Sequence, residues 1–219
     1  MRVLPALTVM RVHMPSFWDR LLLAIEASAS SKQSWSAASP SAATWQGRIE
    51  DFEPFFRQHE HEIFTYLWRM TGDEHAAYDL AQETFLRAWQ HFARIRDYER
   101  PGGWLFRVAT HLALNHLRDQ SVRRGASIIP VSNRSRQHTV ERPEGRTDDL
   151  AMQIANADLV RRALMALTPR HRAALVLREV YGFPCGQVAA ILGMSVGSIK
   201  TLLWRARDEF RGRYAEEDR

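Results

Sequence analysis

The sequence is poor in the residues that build covalent or metal-held frameworks. It has one cysteine, Cys185, among 219 residues, so neither a disulfide within the chain nor a cysteine-based zinc site can form. It also has no apolar run of about 18 residues, the length that a membrane-spanning helix needs. No glycine-rich phosphate loop and no ordered serine–histidine–aspartate set is present. These absences favour a cytoplasmic protein that is not inserted in a membrane, has no small-molecule substrate and is not an enzyme.

Charge is weighted towards the basic side. Lysine and arginine number 30 against 25 acidic residues, giving a formal net charge of +5, and almost all of the basic residues are arginine. Because the arginine fork pairs with phosphates and guanine edges, this balance leans towards nucleic acid. The nine histidines do not combine with acidic residues at metal-binding spacing on one helix face, so we expect neither a metal nor another cofactor.

Residues 1–50 differ in composition from the rest of the chain. Serine and alanine dominate residues 29–45, a composition typical of linkers and disordered segments. Residues 17–25, just before them, have the pattern of a short amphipathic helix. We therefore expect an N-terminal extension that is largely disordered, and the sequence assigns it no role.

From residue 51, apolar side chains recur at helical spacing. The pattern predicts a first helix that ends at residues 71–73, a second through residues 80–89 and a third through residues 105–117. A polar loop over residues 94–103, closed by Pro101, Gly102 and Gly103, is expected between the last two. Because no segment alternates as a strand would, residues 51–121 are predicted to form an all-α domain.

A second helical unit is expected over residues 155–213. Residues 122–154 have few large apolar side chains and several arginines before turning acidic, which predicts a basic, flexible linker. In the second unit, Pro169 stands where a helix begins and Gly182 where one ends. Two short helices follow, separated by Gly193. The fold class is therefore all-α, with two small helical domains.

The last two of these helices have the features of a helix-turn-helix. Gly193 tolerates the left-handed backbone that the turn requires, Ala189 is small enough for a close crossing, and Ser195 is a good N-cap. Residues 195–207 are then the helix presented to the major groove. Its candidate DNA contacts are Ser195, Ser198, Lys200, Thr201, Trp204, Arg205 and Arg207. The alternative is a helical hairpin that closes a bundle and has a solvated cationic face.

Three stretches resemble bacterial sigma factors. Residues 79–89 (DLAQETFLRAW) resemble the helix that binds core RNA polymerase, and residues 104–109 with 115–118 (WLFRVA and NHLR) resemble the promoter-melting helix. Residues 195–201 (SVGSIKT) resemble the recognition helix of the fourth region. Two such domains joined by a linker resemble the extracytoplasmic-function subgroup of the sigma-70 family, with similarity over residues 51–121 and 155–213.

The resemblance implies an alternative sigma factor that binds core RNA polymerase and directs it to promoter DNA. The first domain would be region 2-like and would read and melt the minus-ten element, and the second would be region 4-like and would read the minus-thirty-five element. The polymerase-binding residues would be Asp79, Gln82, Glu83, Phe85 and Arg87. The minus-ten residues would be Tyr98, Arg100, Arg107, His111, Asn115 and Arg118. Family members are often restrained by an anti-sigma factor, so such a partner is expected.

Two details qualify this interpretation. Leu202 stands where many family members have arginine, so affinity for the upstream element would rest more on Lys200, Arg205 and Arg207. Arg170 and Arg172 are candidates for contacts with backbone phosphates, which add affinity without specificity. The competing functions are a free-standing DNA-binding regulator, which would need no polymerase, and an RNA-binding helical protein, which would prefer RNA to duplex DNA.

Overall fold

The computed structural model describes residues 49–98, 101–126 and 148–217. These residues form an all-α fold without strands, which confirms the predicted fold class. The helices are α1 (Ile49–Thr71), α2 (Glu74–Gln90), α3 (Phe92–Ile95), α4 (Pro101–Ala126), α5 (Asp148–Ala166), α6 (Pro169–Leu175), α7 (Cys185–Leu192) and α8 (Val196–Glu217). The N-terminal extension through residue 48, Arg100 and residues 127–147 of the predicted linker lie outside the described ranges.

Helices α1, α2 and α4 pack around one aromatic-rich core, which we call the first unit. Phe52, Phe56 and Tyr66 of α1 are almost fully buried in it. Helix α1 ends because Gly72 adopts a left-handed conformation with φ of 70°. Asp73 then begins α2 as its N-cap, since its Oδ1 accepts a hydrogen bond from the amide of Ala76 at 3.0 Å.

Several boundaries differ from those predicted. The expected polar loop overlaps the second half of α3, and α4 begins at Pro101, so both following glycines are helical. Proline suits a first helical position because its missing amide proton would have no partner there. Helical residues also extend to Ala126 and restart at Asp148, inside the predicted linker. Helix α8 is 22 residues long rather than short.

Helices α7 and α8 form the predicted helix-turn-helix. They meet at 97°, and Gly193 between them has a φ of 64°. The amide of Ser198 donates to Ser195 Oγ at 3.1 Å, so Ser195 is the N-cap of α8. Val188, Ile199 and Leu203 are buried between the helices. In the part of the chain that the structure describes, no single helix is long and apolar enough to cross a membrane. Only α7 and α8 taken together, as a bent pair, reach the necessary length and hydropathy.

The second unit, α5 to α8, packs directly against the first, and we call this packing the closed arrangement. A π-helical turn, Val176–Val180, extends α6 and is followed by Gly182 with a φ of 71°. This turn places Tyr181 and Phe183 against Phe106 of α4, with ring centroids 4.7 Å and 5.0 Å away. Sequence patterns predicted the helices of both units but not this contact between them.

Arg172 also connects the two units. It is 5% exposed, and its guanidinium donates to main-chain oxygens of Leu164, Met165 and Leu167 at 2.8–3.1 Å. It donates as well to the main-chain oxygen of Met70, near the end of α1. Because the last carbonyls of a helix lack partners within it, one arginine satisfies the ends of both α5 and α1. The prediction that Arg172 contacts DNA phosphates is therefore wrong.

Candidate functional surfaces

The outward face of α8 presents most of the predicted DNA contacts together. Ile199, Leu203 and Ala206 are buried against the second unit. The exposed side is occupied by Ser195, Ser198, Lys200, Thr201, Trp204 and Arg205. Trp204 is 67% exposed, an unusual value for so large an apolar side chain. This set, which we call the α8 face, combines cations, hydroxyls and one aromatic ring.

The polar side chains of the α8 face remain available to a ligand. Ser195 Oγ lies 2.8 Å from Ser198 Oγ, and Thr201 donates to the carbonyl oxygen of Gly197 at 3.3 Å. These hydroxyls are thereby held in place but keep lone pairs that can accept further bonds. Lys200 and Arg205 form no ion pair with any residue that the structure describes. Leu202 is half-buried and packs on the core, as its apolar character predicts.

Arg207 is separate from the α8 face. Its guanidinium forms an ion pair with Glu179 at 2.6 Å, on the side of α8 that faces the π-helical turn. A paired arginine has less charge to offer a phosphate than a free one. The structure thus separates Arg207 from the other predicted minus-thirty-five residues.

A polar face runs along α4. Leu105, Ala109 and Ala113 are buried on one side, and the opposite side exposes Arg107, His111, Asn115 and Arg118. We call this set the α4 face. Partial burial and the nearby Arg107 lower the pKa of His111, so its ring is neutral at neutral pH and offers hydrogen bonds rather than charge.

Two predicted minus-ten residues, Tyr98 and Arg100, precede α4, and the structure describes the first of them. Tyr98 is 43% exposed, which leaves its ring open to a ligand, whereas Arg100 lies outside the described residues. Trp104 is half-buried, packs on the core and has its ring 6.0 Å from that of His91. This position agrees with a packing role for Trp104 rather than base stacking.

Helix α2 exposes a mixed-charge face. Asp79 and Arg87 are exposed and Gln82 and Glu83 half-exposed, and Glu83 pairs with Arg87 at 2.7 Å. We call these four residues the α2 face. Phe85 points the other way, is fully buried and packs on Phe56 with ring centroids 4.7 Å apart. The prediction of Phe85 as a direct polymerase contact is therefore wrong, because its ring supports α2 from within the domain.

Sequence reasoning missed the residues that hold the closed arrangement. Tyr181 and Phe183 flank a positive-φ glycine, and an aromatic residue on each side of a helix end is the signal that was available. Among the described residues, no group of three histidine, cysteine or acidic side chains is placed to hold a metal ion.

Comparison with known proteins identifies a family for this chain. The family model described as Sigma-70 region 2 matches residues 55–123, and the one described as Sigma-70, region 4 matches residues 157–210. The RNA polymerase sigma factor YlaC of Bacillus subtilis is 31% identical over 74% of this chain and 91% of its own length. The ECF RNA polymerase sigma factor SigE of Mycolicibacterium smegmatis is 31% identical over 76% of this chain and 62% of its own length.

A solved structure has the same fold. The sigma factor RpoE from Bartonella quintana, determined in complex with the anti-sigma factor NepR, superposes with a TM-score of 0.56 and 23% identity, over 78% of this chain and all of that one. The two family matches together cover more than half of the chain, in the order in which the two units occur. The chain therefore belongs to the sigma-70 family, extracytoplasmic-function subgroup, as an alternative sigma factor that binds core RNA polymerase and directs promoter-specific initiation of transcription.

Proposed function

We propose that three separate faces divide the work of initiation in this chain. The α2 face binds core RNA polymerase, the α4 face with Tyr98 and Arg100 reads and melts the minus-ten element, and the α8 face reads the minus-thirty-five element. The protein acts in the cytoplasm as a specificity subunit and performs no catalysis of its own. The domain limits that go with these roles are residues 51–121 and 155–213.

The observation that carries the proposal is the two-sided construction of α8. Its apolar side closes the helix-turn-helix core, while Lys200, Trp204 and Arg205 are exposed together on the other side. A helix inserted in the major groove needs such a face, since cations bind phosphates or guanine and apolar groups contact thymine methyls. With no arginine at Leu202, we expect the isolated second unit to bind DNA weakly and the polymerase to supply the remaining affinity.

The α4 face has the chemistry that unpaired bases require. Exposed Arg107 supplies charge, and the Asn115 amide can both donate and accept hydrogen bonds. Tyr98 adds an exposed ring on which a base can stack. Buried Leu105 and Ala109 fix this helix on the first unit, so the polar side chains sit on a rigid support.

The α2 face supports a different kind of contact. Asp79 and Arg87 lie on one side of a helix whose other side is anchored by buried Phe85. A surface with both charge signs suits another protein better than a phosphate backbone, which would repel Asp79. This face is therefore assigned to the polymerase core.

Run-off transcription with purified core polymerase, on promoters upstream of this protein's own operon, tests the assignments. We expect transcript only when the protein is added, and at least tenfold less with Asp79→Ala and Arg87→Ala combined, with matching loss of co-purification with core. Arg213→Ala, at the far end of α8, is the control and should leave both unchanged. Absence of any core-dependent transcript, together with no co-purification with core, would refute the proposal.

The α4 assignment predicts a defect after polymerase binding. Asn115→Ala with Arg118→Ala should reduce permanganate reactivity at the start site while core binding stays intact. Equal reactivity in the variant and the parent protein would contradict the melting role.

We also propose that an anti-sigma factor regulates this chain, because the solved relative was determined with one bound. Purification from cells at native expression, with and without core polymerase, would identify that partner.

A further inference from the structure

An apolar groove crosses the boundary between the two units. Its volume is about 610 Å³, and both units line it. Trp68 and Arg69 come from the end of α1, Val160 from α5, and Phe210 and Tyr214 from the end of α8. No described residue fills the groove, although its walls are mostly apolar. Exposed apolar surface of this kind in a folded chain indicates a binding site.

The rim of the groove is basic. Arg69, Arg161 and Arg211 line it, Arg161 is paired with Asp158 at 2.8 Å, and Glu179 is paired with Arg207. Arg69 donates to the neutral hydroxyl of Tyr181, and Arg211 has no ion pair within the described parts of the chain. The groove therefore favours an apolar ligand with an acidic group placed near Arg211.

We propose that residues 17–25 of this chain occupy the groove as an amphipathic helix. This segment lies outside the described residues, and its sequence carries the argument. At helical spacing five of its six large apolar side chains fall on one side, and they are Phe17, Trp18, Leu21, Leu22 and Ile25, while Leu23 lies outside it. Asp19 and Glu26 fall outside that apolar side, against one basic residue, Arg20. The segment thus matches both the walls and the rim.

The chain between this segment and α1 has a suitable length. The groove lies near residue 68, about 29 Å along α1 from its start at residue 49. The 23 intervening residues, 26–48, are rich in serine and alanine, and a random coil of that length has a mean end-to-end distance of about 25 Å. Fully extended it would reach about 75 Å. Docking within the same chain is therefore possible without stretching the connection.

Docking of this segment would stabilise the closed arrangement. The second unit supplies most of the groove, and Trp68 and Arg69 of the first unit complete it in the closed arrangement. A helix that contacts Trp68 as well as the second unit therefore binds the closed arrangement more tightly than the separated units. The N-terminal extension is thereby assigned a role as an intramolecular clamp, which does not depend on the assignment of the three functional faces.

Disulfide trapping in the full-length chain tests the docking. In a Cys185→Ser background, Leu21→Cys is paired with Val160→Cys, and the control pairs Leu23→Cys, outside the apolar side of the same helix, with Val160→Cys. Under mild oxidation we expect the Leu21 pair to form an intramolecular crosslink at least fivefold faster than the control. Equal rates for the two pairs overturn the proposal. Crosslinks only between two chains also overturn it, because the occupant is then a second copy.

Hydrogen exchange provides a second test that needs no cysteine. Leu21→Asp with Leu22→Asp in the full chain should raise the exchange rates of α5 and of the last turns of α8 at least threefold. Leu23→Asp introduces the same charge outside the apolar side and should leave those rates unchanged. If the double variant exchanges as slowly as the parent chain, the segment does not cover the groove and the proposal fails.

Discussion

The phenol oxygen of Tyr181 accepts a hydrogen bond from Arg69 Nη1 at 3.0 Å, across the boundary between the two helical units. The same hydroxyl donates to the carbonyl oxygen of Glu62 at 3.1 Å. Burial raises the pKa of Tyr181 to about 12, although Arg69 opposes the shift. The hydroxyl therefore stays protonated at physiological pH and keeps both bonds for as long as the closed arrangement lasts.

Tyr181→Phe should loosen the closed arrangement without unfolding either unit. The ring contacts with Tyr66 and Phe106 remain, but two hydrogen bonds between units are lost, which together contribute about 1–2 kcal/mol. We expect roughly a tenfold larger open population, measured by single-molecule energy transfer between dyes on α2 and α8. Tyr66→Phe is the control, because its hydroxyl bonds Thr110 at 2.7 Å inside the first unit. Equal distances in the parent and Tyr181→Phe would contradict this role.

Arg172→Met should destabilise the fold strongly. Methionine fills similar volume but leaves the main-chain oxygens of Leu164, Leu167 and Met70 without their buried donor, at a cost of about 3 kcal/mol. Burial already lowers the pKa of Arg172 to about 10, which still leaves it charged at neutral pH. Urea unfolding followed by circular dichroism measures the loss. Arg170→Met, two residues away and exposed, should change stability by less than about 0.5 kcal/mol.

Arg172 and Tyr181 show where sequence reasoning about the fold stops. Helical spacing identified α1, α2 and α4 because each buries one apolar side. Gly193 identified the turn because glycine adopts the left-handed backbone conformation that the turn requires. Neither signal indicates what lies beyond the end of a helix. Arg172 lies in the first turn of the helix that begins at Pro169, a position typical of a phosphate ligand. Only the packing of α5 against α1 places four carbonyl oxygens around its guanidinium.

The arginines of α8 should differ in their effect on DNA binding. Arg205 is exposed and has no described ion pair, so Arg205→Ala should weaken binding of holoenzyme to a promoter fragment about tenfold and reduce its salt dependence. Arg207 is held by Glu179 at 2.6 Å, so Arg207→Ala should weaken it less than threefold. Fluorescence anisotropy over a salt series measures both. A larger effect from Arg207 would show that the ion pair with Glu179 opens on DNA.

Phe85 illustrates the corresponding difficulty for the functional faces. The motif at residues 79–89 indicates a docking helix, but a motif does not state which of its residues face inwards. Asp79 and Phe85 are both part of it, and only the position of Phe56 on α1 determines that Phe85 belongs to the core. Sequence therefore identified the correct helices, and the structure was needed to decide which side of each one is available.

Gly193→Ala should destabilise the helix-turn-helix through backbone conformation alone. A methyl group at residue 193 would meet no atom within 4 Å, but φ is +64°, and an L-residue in that conformation costs about 1 kcal/mol relative to glycine. Gly212→Ala is the matched control, since it also has open space and lies within α8 without a positive φ. It should stabilise the helix by about 0.5–1 kcal/mol. Thermal unfolding should therefore shift in opposite directions for the two variants, and an unchanged or raised midpoint for Gly193→Ala would contradict the argument from φ.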